Sequence, residues 1–219
     1  MIKEEYTSLL LEKPWDNIDE YFGDLNLLPK TERVRRIDID TEQWVQFTLD
    51  NFELADQNYE CPKPHCVDDS NWISEINNRL GRNEHNSFGL NWGKQGNTNE
   101  KLLNFLGEEN INKLGLEQDC ILVRLLAYTP GHGAAWHKDS GESYREMFSE
   151  IKSLNECIRL WFPVTDWKNG QAFQIGSTVL THWQAGDVWH IPWGVPHAST
   201  NFGYNIKYSV SLTGKRKII

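Results

Sequence analysis

The chain has little of what marks membrane, secreted or repetitive proteins. No apolar run approaches the roughly 20 residues needed to cross a bilayer, and its opening, Met1-Ile2-Lys3-Glu4-Glu5-Tyr6, lacks the charged-then-apolar order of a secretory signal. A soluble, cytoplasmic protein without a membrane partner is therefore expected. Four scattered cysteines in 219 residues are too few for a disulfide framework. Cys61-Pro62-Lys63-Pro64-His65-Cys66 gathers two thiols and an imidazole, but no second Cys/His pair follows at a usual spacing. It reads as a proline-rich connection with free thiols. Positive charge is also scarce: 22 basic against 31 acidic residues leave a net charge of −9, which opposes long-range attraction to phosphate backbones. The basic clusters, Arg33-Val34-Arg35-Arg36 and Lys215-Arg216-Lys217, are short, so nucleic acid is disfavoured as a partner. Internal repeats and low-complexity tracts are absent from the sequence.

Aromatic residues are abundant. Ten Trp, nine Phe and seven Tyr supply material for one compact core over residues 1–219. From residue 120 onward, apolar runs of four to eight residues are punctuated by Gly, Asp, Asn and Pro, the pattern of short strands in an antiparallel system. Such runs cover 121–128, 157–164, 172–175, 178–183, 188–193 and 205–212, and so many short strands imply a sandwich or jelly roll. The first 119 residues instead alternate loops with helical patterns. Helices are expected over 41–49 behind a Thr41 cap, over 71–80 ending at Gly81, and over 99–106 and 110–114. These would brace one face of the sheet, with loop 83–97 at the substrate mouth.

The chemistry-bearing residues are His137 and Asp139 in His-Lys-Asp, with His197 in Val-Pro-His. On a strand, positions 137 and 139 share a face, and two imidazoles plus one carboxylate suit Fe(II) while leaving three positions open. Each also has an ordinary reading. His137 fits a hydrogen-bonded buried histidine, Asp139 a turn residue before Ser140-Gly141, and His197 a loop imidazole. Lys207, between Ile206 and Tyr208, either faces solvent, for instance as an edge-strand guard, or is paired.

The string from Arg159 to Leu212, with Gly186-Asp187-Val188-Trp189, Val195-Pro196-His197, Asn201-Phe202-Gly203 and a basic residue ten positions past His197, resembles the Fe(II)/2-oxoglutarate-dependent oxygenases. Within them it is most similar to the aspartyl/asparaginyl β-hydroxylase-like branch. The resemblance implies a mainly β, cupin-like double-stranded β-helix (a jelly roll) over residues 120–214, with flanking N-terminal α-helices. It implies Fe(II), 2-oxoglutarate and dioxygen as cofactor and co-substrates, with release of succinate and carbon dioxide. His137, Asp139 and His197 fall on the iron ligands, Lys207 on the cation that binds the distal carboxylate of 2-oxoglutarate, and Ser209 on the hydroxyl that shares it. There are two departures. The family usually has Arg where this chain has Lys207, and the β-hydroxylase branch often lacks the carboxylate ligand that Asp139 supplies.

Alternation along 157–163 puts Arg159 and Trp161 on the face opposite Ile158, Leu160 and Phe162, so Arg159 is a candidate for binding co-substrate or a substrate carboxylate. Arg124 and Tyr128 share a strand face in the same way. Trp136, Trp189 and Trp193 are expected to pack, His132, His182 and His190 to be structural or exposed, and Gly131-His132-Gly133 to form a flexible approach to the metal strand. Tyr144, Met147, Phe148 and Ile151 have helical spacing, fitting either a lid or an amphipathic connector. The expected activity is hydroxylation of an amino-acid side chain in a peptide or small molecule. Two rivals stand beside it: a cupin-type metalloenzyme without 2-oxoglutarate, and a non-catalytic binding module.

Overall fold

Alternation of side chains along the strands organises the molecule into layers. The computed structural model describes residues 31–51, 55, 90–93, 98–137, 139 and 141–217, with backbone alone at 90, 91, 135–137, 142 and 143. The Cys61–Cys66 segment, the helix expected over 71–80, most of 83–97, and Lys138 and Ser140 lie outside the described residues.

Among the described residues, ten strands form two antiparallel sheets. In chain order they are β1 (Arg33–Arg36), β2 (Leu90–Trp92), β3 (Leu116–Tyr128), β4 (His132–His137), β5 (Cys157–Pro163), β6 (Gln171–Ile175), β7 (Thr178–Leu180), β8 (Asp187–His190), β9 (His197–Asn201) and β10 (Lys207–Arg216). The larger sheet has the order β1-β8-β5-β10-β3-β2 and the smaller β4-β9-β6-β7. Together they make the expected mainly β double-stranded β-helix, with few helices.

The six-stranded sheet separates two cores. Its outer face presents Ile121, Val123 and Leu125 of β3, Leu160 and Phe162 of β5, and Val210 and Leu212 of β10. The helices α1 (Thr41–Asp50) and α2 (Thr98–Leu114) cover this face with Trp44, Phe47, Leu102, Leu106 and Ile111. Each such large apolar side chain, fully buried, contributes about 1.5–3 kcal/mol. The inner core lies between the sheets and is aromatic: Trp161, Phe173, Trp183 and Trp189 pack with Ile175, Ile191 and Val195. A third cluster joins Cys120, Leu122, Ile151, Cys157 and Trp193 to Tyr144 of the short helix α3 (Glu142–Met147).

Several local expectations are corrected. The cap of α1 is Asp40, whose Oδ1 accepts from Gln43 N at 3.1 Å, while the Thr41 hydroxyl is turned to the Val164 carbonyl at 2.8 Å. The two helices expected over 99–106 and 110–114 are both present within Thr98–Leu114, divided by a kink at Gly107, whose φ is 74°. Arg33–Arg36 is a strand paired with β8, and Leu90–Trp92 is a strand paired with β3, where the sequence suggested a basic cluster and a loop. Lys207 is no edge guard, since β10 runs between β5 and β3. His132 and Gly133 are not a flexible approach: both belong to β4 and pair with Asn201 and Thr200 of β9. Gly133 is required there, because a Cβ would lie 2.1 Å from the Ser199 carbonyl oxygen.

Candidate functional site

The inner faces of β3, β5, β9 and β10 border a small open cleft with a cavity volume of about 40 Å³. Strand alternation determines what lines it. The odd positions of β10 carry Lys207, Ser209, Ser211 and Thr213 on the face opposite Val210 and Leu212. On β3 the inward residues are Arg124, Leu126 and Tyr128, and on β5 they are Arg159 and Trp161.

Asp139 and His197 meet at one end of this cleft. His197 Nδ1 lies 3.0 Å from the Val195 carbonyl oxygen, which only a proton donor can face, and in the neutral imidazole this leaves the lone pair on Nε2. That nitrogen is 3.3 Å from Asp139 Oδ2. Two lone-pair donors so close call for a cation between them, and the Arg159 guanidinium supplies one: its Nη2 bonds Asp139 Oδ2 and lies 3.3 Å from His197 Nε2. Two atoms 3.3 Å apart can also share a point about 2.1 Å from each, the ordinary length of metal bonds to imidazole and carboxylate. The donor set, one nitrogen and one anionic oxygen with the imidazole held by a carbonyl, fits a divalent transition metal.

The third expected donor, His137, is described by its backbone alone. In the β4–β9 ladder its position is the direct partner of His197. Among the described residues no three His, Cys, Asp or Glu side chains gather into one metal group.

Lys207 is placed where neither ordinary reading put it, since it is neither solvated nor paired with an acid. It is 1% exposed. Its ammonium donates to the Ala172 carbonyl and to Ser199 Oγ at 2.8 Å, and no carboxylate faces it among the described residues. Four rings surround it, Trp183 at 5.3 Å, Phe173 at 5.6 Å, Trp161 at 5.8 Å and Tyr128 at 5.9 Å. Burial pushes its pKa well below the ordinary lysine value. Three of those rings, Tyr128, Trp161 and Phe173, also line the cleft, so the ammonium sits directly behind its wall. Ser209, two residues along the same face, is fully buried, and its hydroxyl has no hydrogen-bond partner among the described residues.

The remaining candidates divide. Arg159 is 6% exposed and reaches the Asp139–His197 pair, as its strand face suggested. Trp189 and Trp193 are packed. His182 is exposed and stacks on Trp167 at 4.1 Å. His190 is buried, and burial, then Arg216 and Arg159, push its pKa from 6.5 down to about 4, so it is neutral near pH 7. Tyr144 of α3 donates to the Cys120 carbonyl at 2.6 Å, while Met147 is exposed, which makes this segment a packed connector at one end of the barrel. The sequence reading missed Ser199 and the ring cage. Ser199 was accessible in principle: two residues past His197 on one strand, it shares that residue's face.

No family model matches the chain, and no curated protein does. Solved structures do. A prolyl-4-hydroxylase from Pseudomonas putida is 12% identical with a TM-score of 0.46, over 86% of this chain and 92% of that one. A predicted oxalate decarboxylase from Thermotoga maritima is 13% identical with a TM-score of 0.34, over 58% and 80%. A conserved protein with a double-stranded β-helix domain from Klebsiella pneumoniae is 19% identical with a TM-score of 0.31, over 44% and 68%. These likenesses concern fold, and they give the aspartyl/asparaginyl β-hydroxylase branch no support. Among the described residues no helix is long and apolar enough to cross a membrane.

Proposed function

We propose that the chain is an Fe(II)- and 2-oxoglutarate-dependent oxygenase that hydroxylates an unactivated C–H bond, in an amino-acid side chain of a peptide or small molecule. The observation that carries this reading is the Lys207 ammonium, enclosed without a carboxylate among the described residues. A lone buried cation is costly unless an anion completes it. Its partner Ser199 lies two residues from His197 on β9, about 6.7 Å along the strand. That spacing suits a short diacid with its distal carboxylate at Lys207 and its other end near His197 and Asp139.

In this reading His137, Asp139 and His197 would hold the metal, with Val195 fixing the His197 tautomer. Lys207, Ser199 and the orphaned Ser209 hydroxyl would bind the distal carboxylate. Bound iron with 2-oxoglutarate supplies the oxidising chemistry: one oxygen atom of dioxygen enters the substrate C–H bond and the other enters succinate as carbon dioxide leaves. The chain's own residues orient and exclude. Arg159 holds the Asp139 carboxylate in place, and the wall of Trp161, Phe173 and Tyr128 keeps water from the inner end of the cleft.

The test is succinate release over a panel of amino acids and peptides, with Lys207→Ala beside the parent chain. Loss of one charge-assisted contact, about 1.5–3 kcal/mol, should raise the KM for 2-oxoglutarate roughly 10- to 150-fold. Turnover indifferent to Lys207→Ala favours a metalloenzyme that does not use 2-oxoglutarate. Anaerobic addition of Fe(II) and 2-oxoglutarate should give a weak visible charge-transfer band, which a non-catalytic scaffold would not show.

A further inference from the structure

Two cations answer to the same pair of atoms. Arg159 Nη2 bonds Asp139 Oδ2 and lies 3.3 Å from His197 Nε2, and these are the two donor atoms that suit a divalent metal. With Nδ1 turned to the Val195 carbonyl, the neutral imidazole has a single lone pair, on Nε2. A hydrogen bond from the guanidinium and a bond to a metal both require that lone pair. Each excludes the other.

At Asp139 the conflict is one of charge. A metal–oxygen bond of about 2.1 Å and a charge-assisted hydrogen bond of about 2.8 Å to the same oxygen hold two cations within about 5 Å of each other. Arg159 is buried, at 6% exposure, so water screens that repulsion poorly. The surroundings add to it: among the described residues the cleft and its wall carry Arg124, Arg159 and Lys207 against the carboxylate of Asp139, a positive interior in a chain of net charge −9. The Asp139 side chain is 30% exposed and that of His197 3%, so an arriving ion meets the carboxylate first and gains the imidazole only when the guanidinium gives way.

The guanidinium is also incompletely satisfied where it stands. Its Nη1 is buried with no hydrogen-bond partner among the described residues. A carboxylate has two oxygens, so the contact with Asp139 can pass from one to the other while Nη1 takes an oxyanion that arrives with the metal. The hold on Asp139 then survives the exchange. That hold concerns one carboxylate and the competition both donors, so removing Arg159 frees more metal affinity than it forfeits.

We propose that Arg159 is an internal counter-cation that competes with the metal for Asp139 and His197, holding metal affinity down until a dianionic co-substrate offsets the added charge. The competition rests on the donor atoms alone, and the part played by the co-substrate rests on the oxygenase reading.

Mn(II) affinity decides it, and its sign is diagnostic. The full chain is titrated with Mn(II) under argon and the free ion is read by electron spin resonance, with and without 2-oxoglutarate. Arg159→Met should bind Mn(II) alone about 10-fold or more tighter than the parent chain, the equilibrium weight of one charge-assisted contact that the metal no longer displaces. Arg159→Lys, which keeps a cation, should gain less. A residue that only positions Asp139 predicts the reverse, weaker Mn(II) binding in Arg159→Met. 2-Oxoglutarate should tighten Mn(II) binding in both chains, and about 10-fold more in the parent, where it also offsets the guanidinium. Arg159→Gln, equally neutral, is read in place of the Met variant if circular dichroism shows that variant unfolded. The proposal is overturned if the folded neutral variant binds Mn(II) no more tightly than the parent, or if 2-oxoglutarate tightens binding by the same factor in both. Failure of the oxygenase reading looks different: 2-oxoglutarate tightens Mn(II) binding in neither chain, while the gain from losing Arg159 persists.

Discussion

Lys207 reduces the stability of the ligand-free chain. Its pKa is lowered by burial, so in the range between its folded value and the unfolded value of 10.5 the unfolded chain holds more protons than the native one. Native stability therefore rises with pH across that window and the penalty vanishes only above about 10.5. Lys207→Met, with a similar shape inside the four rings, should raise the melting temperature of the ligand-free protein by at least about 3 °C, the shift that about 1 kcal/mol produces in a chain of this length. The gain should shrink as pH rises, and scanning calorimetry at several pH values checks both sign and trend. An unchanged or lower melting temperature at neutral pH would mean that the ring cage and Ser199 fully compensate the cation. The residue scale also shows what could be read in advance. The choice between solvated and paired for Lys207 rested on pairing with other protein groups, and an ion left for a diffusible partner has no sequence signature.

At the scale of elements, the site depends on two strands being held close. Gly133 lets β4 approach β9 to the point where only a hydrogen fits beside the Ser199 carbonyl, and the same ladder sets position 137 opposite His197. Gly133→Ala should force the strands apart, destabilising the chain by about 1–3 kcal/mol in urea melts. It should also weaken Mn(II) binding, read by electron spin resonance, without touching any donor. Retention of parental metal affinity would show that this register does not govern the donors. Elements with strong period-two or helical patterns, such as β3, β5, β6 and α1, were legible because one face of each meets a core. β1 and β2 were not. Both are short and gain their strand character from pairing with β8 and β3, which no local pattern encodes. Gly133 looked like a loop residue because glycine signals freedom in sequence, whereas here it answers to close approach.

For the whole molecule, the layered build leaves the outer core independent of the cleft. α1 and α2 cover one face of the six-stranded sheet, and the ionisable site residues lie on the other. Ligands should therefore add stability to a chain that is already folded. Saturating Mn(II) with 2-oxoglutarate at 100 times the dissociation constant should contribute about 2.7 kcal/mol and raise the melting temperature by several degrees, with reversal by chelator. Either component alone should give less, because metal donors and diacid contacts are different side chains, two residues apart on β9. A transition that sharpens only on loading would indicate that folding and binding are coupled.

The contrast between a negative exterior and a positive interior has a kinetic consequence. A polyanionic visitor meets a repelling field at a distance and an attracting one only inside the last Debye length, about 8 Å at physiological salt. Capture is then governed by the mouth rather than by the global field, so added electrolyte quiets the repulsion before it reaches the attraction, and such visitors should arrive faster, not slower, as salt rises.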